Sequence, residues 1–175
     1  QALIDRTLNG QAILASGPIL PGSWAYYSGL AVVEFNRQAA IDLLRSAGYA
    51  AGAGGERLSF ELAYPDDERH TAVAQAIQQD WQELGVQVTL APVSYEVLLD
   101  EYLTPREYQA VLVDINLANS PDPDPYPFWH QAQTTGGQNY AMWDDRQASE
   151  YLEQARVTVE LAERKRLYNN FQVRF

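Results

Sequence analysis

Two carboxylates flank a proline in Asp122-Pro123-Asp124, and the segment runs on through Pro125-Tyr126-Pro127-Phe128-Trp129-His130. Acid–base catalysis uses such a pair when one group holds a proton and the other is ionised in a cleft. The same residues also suit a helix cap at Asp122 beside aromatics that pack as core. A calcium loop requires a third oxygen ligand and a glycine where Tyr126 and Pro127 stand, so that pattern fails. A transition-metal site needs three or four ligands, and the chain has only His70 and His130 with no cysteine. Both histidines are therefore read as surface residues, and no metal or other cofactor is expected.

Nucleophilic catalysis lacks a G-x-S-x-G elbow, and the glycines within 52–55 precede a strand, whereas a phosphate loop must follow one. No catalytic residue is assigned. The enzyme alternative that remains is a carbohydrate hydrolase using Asp122 or Asp124, and a further alternative is an interaction module without a small ligand. The chain is rich in aromatics, with 4 Trp and 11 Tyr, whose flat amphipathic faces suit sugars, peptides and similar solutes.

The balance of 12 Lys and Arg against 23 Asp and Glu gives a net charge of -11. That surface repels phosphate backbones and anionic lipid, so nucleic acid is not an expected partner. No apolar run reaches the ~18 residues that a membrane-spanning helix needs, so this chain is not expected to insert in a membrane. At 175 residues, 46% of them hydrophobic, it is expected to form a single domain. Ala2, Leu3, Ile4 and Leu8 already form a helix face, and Leu167, Phe171 and Phe175 recur up to the last residue. The sequence is accordingly expected to belong to a longer protein.

The elements that position these residues follow from periodicity and caps. Residues 11–35 are punctuated by Gly17-Pro18, Pro21-Gly22 and Gly29 and read as a long ordered loop or hinge. Asn36 caps a helix over 37–47 that ends at Gly48. Leu58, Phe60, Leu62 and Tyr64 alternate as a half-buried strand does, and so do Val86, Val88 and Leu90. Between them lies a helix with Asp67 and Glu68 in its first turn and a buried stripe of Val73, Ile77, Trp81 and Leu84. Ser94 caps a third helix that Thr104-Pro105 stops. The run Ala110 to Val113 suits a central strand buried on both faces, and helices over 145–157 and 160–175 close the chain. This order predicts an α/β fold around a small sheet, with the ligand segment, 116–139, after the carboxyl end of the last strand.

Several segments together resemble extracellular solute-binding proteins of family five, which includes dipeptide-, oligopeptide- and nickel-binding proteins of ABC importers. They are Ala2 to Arg6, Gly17-Pro18-Ile19 with Pro21-Gly22-Ser23, Phe35 to Tyr49, Ile77 to Val88, Asp122-Pro123-Asp124, Gln138-Asn139-Tyr140 and Ala162-Glu163-Arg164. The resemblance implies a periplasmic-binding-protein-like (class II) lobe, a small mixed sheet flanked by helices. Residues 1–35 would be the hinge-proximal helix and loop and 36–175 the α/β core of a C-terminal lobe. It further implies a protein that captures a peptide-like or other small solute outside the cytoplasmic membrane by closing over it, and passes it to ABC permease subunits without turnover. Its location would be periplasmic or extracellular, with a lipoprotein tether as one form of the full-length protein.

In peptide-binding members, a tryptophan stands six residues before the Asp-Pro-Asp, and an aspartate that pairs with the ligand's amino terminus stands three before. Asn116 and Asn119 occupy those places here. An amide bonds an ammonium without opposite charge, and charge-assisted bonds are roughly twice as strong as neutral ones. The implied ligand wall comprises Asn116, Asn119, Ser120, Tyr140 and Trp24, unless Trp24 is a hinge residue packed on its lobe.

Overall fold

The computed structural model describes residues 2–31, 33–52, 54–117 and 121–175. The chain forms two compact units interleaved in sequence, Gln1–Ile13 with Val33–Asp114, and Leu14–Val32 with Ile115–Phe175.

The first unit holds α1 (Ala2–Thr7), α2 (Arg37–Ser46), β1 (Leu58–Pro65), α3 (Glu68–Gln82), β2 (Val86–Val93), α4 (Tyr95–Val97) with a π-helical turn at Leu98–Leu103, and β3 (Ala110–Val111). The strands lie in the order β2-β1-β3. Leu58 pairs with Val86 and Leu62 with Ala110, both in parallel. The described sheet is thus parallel throughout, where the family resemblance implied a mixed one. The centre is also not the predicted strand: β1, whose Leu62, Ala63 and Tyr64 are all buried, takes that place. β3 pairs over two residues at the edge and is half-buried, the ladder continuing in a bond from Leu112 N–H to the Ala63 carbonyl at 2.9 Å.

Local chemistry explains the boundaries. The side chains of Asn36, Asp67 and Ser94 accept the backbone N–H of Ala39, His70 and Val97, satisfying donors that a helix start leaves unpaired. Gly85, alone between the end of Leu84 and β2, has φ +79, and a Cβ there would lie 2.5 Å from the Gly55 carbonyl oxygen. α3 rests on the sheet through Ala74, whose small side chain permits close approach, with Ile77 packed beside it. Trp81, expected in the buried stripe, is 39% exposed and sets its ring edge-on to Phe60 at 5.4 Å.

The second unit holds α5 (Tyr126–Trp129), a 3-10 turn at Gln131–Gln133, α6 (Arg146–Val157) and α7 (Leu161–Arg174). Ala148, Leu152 and Ala155 at helical spacing face Leu167, Tyr168 and Phe171. Ile19 and Ala25, from the loop that lacks regular structure, complete this core. Buried Gln172 fastens the loop further: its Nε2 donates to the Ala25 carbonyl at 2.9 Å and its Oε1 accepts Tyr27 N–H at 3.2 Å. Burial of the Ile19 side chain contributes about 1.5–3 kcal/mol, so the loop is ordered by packing and the Gln172 bonds in place of a strand ladder. Asp145 caps α6, and the Ala148 amide, with Arg174 at 2.7 Å, holds its carboxyl below the usual carboxylate range despite partial burial.

Candidate functional site

The Asp-Pro-Asp carboxylates are both anchored to the closing helices. Asp122 Oδ2 accepts Arg164 Nη2 at 2.6 Å, and its Oδ1 accepts the Asp124 N–H at 3.3 Å. Arg164 also donates Nε to the Ala155 carbonyl at 2.9 Å and lies 5.4 Å over the Trp24 ring. Asp124 Oδ2 accepts Arg156 Nε at 3.0 Å, while Arg156 covers the Tyr126 ring at 4.0 Å. The cap at Asp122 is therefore replaced by an ion pair, and Asp124 is the carboxylate nearest α5, accepting Tyr126 N–H at 3.4 Å. Arginine is never deprotonated in such pairs, so each carboxylate faces a permanent positive charge. Tyr168, which donates to Asp122 Oδ1 at 3.4 Å, has its hydroxyl pushed up to about 12, first by burial and then by the Asp122 charge.

The segment that follows is tied down by one buried amide. Asn139 Nδ2 donates to the His130 carbonyl at 3.2 Å and to the Trp143 carbonyl at 2.9 Å, and its Oδ1 accepts Trp143 N–H at 3.2 Å. His130 accepts Ala132 N–H on Nδ1 at 3.0 Å, so its Nε2 carries the proton that meets Glu153 Oε1 at 2.9 Å. His70 Nδ1 lies 2.5 Å from Asp67 Oδ2, while its buried Nε2, 3.5 Å from Asp114 Oδ1, has no hydrogen-bond partner among the described residues. Both histidines are buried beside carboxylates, which overturns the expectation of surface residues. Among the described residues, no group of three or more His, Asp or Glu side chains is arranged to hold a metal.

Trp24 joins the loop of the second unit to Pro121. Its indole N–H donates to the Pro121 carbonyl at 3.2 Å, and its ring packs 5.7 Å from Tyr168. Beside it lies a cavity of about 370 Å³ lined by Pro18, Ile19, Leu20, Gly22, Ser23, Trp24, Leu117, Pro121 and Pro123. Trp24 is thus packed on its unit and faces this cavity as well. Asn116 is exposed and Tyr140 half-buried, and neither lines the cavity. Asn119 and Ser120 lie outside the described residues.

A larger concavity of about 820 Å³ occurs in the first unit, between Gly54–Glu56, the end of α3 and the start of β2. It sits at the amino ends of the parallel strands, whereas open α/β sheets bind ligands beyond the carboxyl ends. The size of the cavity is outweighed by that placement and by the prior engagement of Gln78, which donates to the Val88 carbonyl at 2.8 Å. The carboxyl ends instead carry Asp67, His70 and Asp114 with Arg69, which is 2.5 Å from Asp114. Sequence reasoning passed over this charged cluster and over Pro18, Ile19, Leu20 and Leu117. Its only sequence signal was Asp-Asp-Glu-Arg-His directly after a strand.

Residues 1–139 match the family described as bacterial extracellular solute-binding proteins, family 5 Middle. Di/tripeptide-binding protein 1 of Pseudomonas aeruginosa (strain UCBPP-PA14) is 26% identical over 176 residues, covering 98% of this chain and 32% of its own length. The dipeptide-binding protein of Escherichia coli (strain K12) is 28% identical over 177 residues, with coverage of 98% and 32%. The oligopeptide-binding protein AppA from Bacillus subtilis, solved with a nonapeptide, superposes with a TM-score of 0.87 at 22% identity, over 99% of this chain and 36% of AppA. The chain spans about a third of the length of these curated relatives.

Proposed function

Because this chain belongs to the family 5 bacterial extracellular solute-binding proteins, we propose that it forms one lobe of the capture component of an ABC importer. The whole protein would be bilobed, close over a peptide-like or other small solute outside the cytoplasmic membrane, and deliver it to permease subunits. The named relatives bind dipeptides, tripeptides or oligopeptides.

The observation that carries this reading is the bond from Trp24 to the Pro121 carbonyl at 3.2 Å, which ties the ordered loop to the far end of the segment assigned to the ligand wall. Asn116 and Tyr140 belong to that wall, with Asn119 as the contact for the solute's polar end and Ser120 beside it. In this reading the solute is carried and not turned over, and Asp122 and Asp124 serve as partners of Arg164 and Arg156. Among the described residues, no helix is long and apolar enough to cross a membrane, which fits capture by a peripheral lobe.

Native mass spectrometry of the protein at its native full length, purified with its retained solute, should show a mass increment that disappears on denaturation. Asn119→Asp should then strengthen binding of a solute with a free amine, because a carboxylate supplies the missing opposite charge. Unchanged affinity and selectivity in that variant would remove Asn119 from the wall.

A further inference from the structure

Resting on the capture reading above, we propose that the cavity beside Trp24 is a subsite for an uncharged apolar side chain of the solute. Its volume, about 370 Å³, is at the small end of ligand pockets, suiting one side chain and not a whole oligopeptide. The cavity reaches the ligand segment directly, since Leu117 and Pro121 belong to its lining.

The chemistry of the lining selects the occupant. Among the described residues that line it, none has an ionisable side chain. The nearest carboxylate in sequence, Asp122, is 2.6 Å from Arg164 and thereby engaged elsewhere. Two polar groups on the wall are engaged: Trp24 N–H bonds the Pro121 carbonyl, and the Ser23 hydroxyl oxygen accepts Ala25 N–H at 3.3 Å. An ammonium or carboxylate entering here would lose water without meeting an opposite charge, which is unfavourable. A leucine or phenylalanine side chain loses nothing of that kind.

The walls are also formed in advance. Ile19 is part of the unit's buried core, Trp24 packs on Tyr168, and Pro18, Pro121 and Pro123 have fixed φ. A preorganised pocket spends little affinity on ordering itself and so discriminates by fit.

The test is calorimetric titration of the native full-length protein with Leu-Leu, Lys-Lys and Glu-Glu, each with a free and with an acetylated amino terminus. Leu-Leu should bind about tenfold or more tighter than either charged peptide, the scale set by apolar pocket discrimination. Leu117→Trp fills the cavity and should abolish that preference. Leu20→Glu, at a position 45% exposed, should shift it toward Lys-Lys and serves as the second variant if the first folds poorly. Equal binding of all three side-chain types, or a Leu-Leu preference that survives both variants, overturns the subsite while leaving capture intact. Binding of none of the peptides, free or blocked, overturns the peptide-capture reading and the subsite with it.

Discussion

Replacing Arg164 tests whether the Asp-Pro-Asp signature is a structural clamp. The Arg164 and Asp122 side chains are 18% and 40% exposed, intermediate between a surface pair worth about 0–1 kcal/mol and a buried one whose disruption costs about 3–5 kcal/mol. Solvent at Asp122 screens the pair, so a coupling of about 1–2 kcal/mol is expected. Arg164→Met also removes the bond to the Ala155 carbonyl, raising its own cost to about 2–4 kcal/mol when that charged hydrogen bond is included. Asp122→Asn should cost about 1–2 kcal/mol, since the amide still accepts from Tyr168 and Asp124. A double-mutant cycle, read by urea unfolding with tryptophan fluorescence, isolates the pair from the other contacts. Costs of the two substitutions that add to within about 0.3 kcal/mol in the double variant would refute the clamp.

The Tyr168 hydroxyl, raised from 10.0 to about 12, predicts a stability contribution present below pH 10 and lost as pH rises toward 12, because the unfolded chain ionises first. Ultraviolet titration should show one late phenol that is absent in Tyr168→Phe, and a wild-type titration complete by pH 11 would contradict this. Asn139→Ala leaves three backbone groups without their partner and should destabilise by about 2–4 kcal/mol in thermal melts. Asn139→Asp cannot restore the two donors, so wild-type stability in that variant would count against the network.

The capped starts of α2 and α4 were legible because Asn36 and Ser94 act on amides three residues away, whereas Asp67, read as part of the first turn of α3, is its cap. The closing helices were legible through the same short-range periodicity. Partners distant in sequence were not. Arg156 and Arg164 meet the Asp-Pro-Asp only through the packing of α6 and α7, and Glu153 meets His130 by the same route. The apolar run Ala110 to Val113 has the composition of a central strand, but composition does not state which neighbour takes the middle, and β1 takes it. Trp24 entered through the family resemblance, while the cavity beside it needed Leu117 and Pro121 brought next to Pro18 and Ile19.

Synthesis order bears on the interleaved units. A ribosome releases everything the first unit needs once Asp114 has emerged, but Leu14–Val32 must wait for α6 and α7. During that interval Ile19 and Trp24 have no helical floor and present sticky surface to any neighbour, as incomplete domains do. A chain stopped before α6 would therefore leave that loop unsheltered, and its first failure would be clumping.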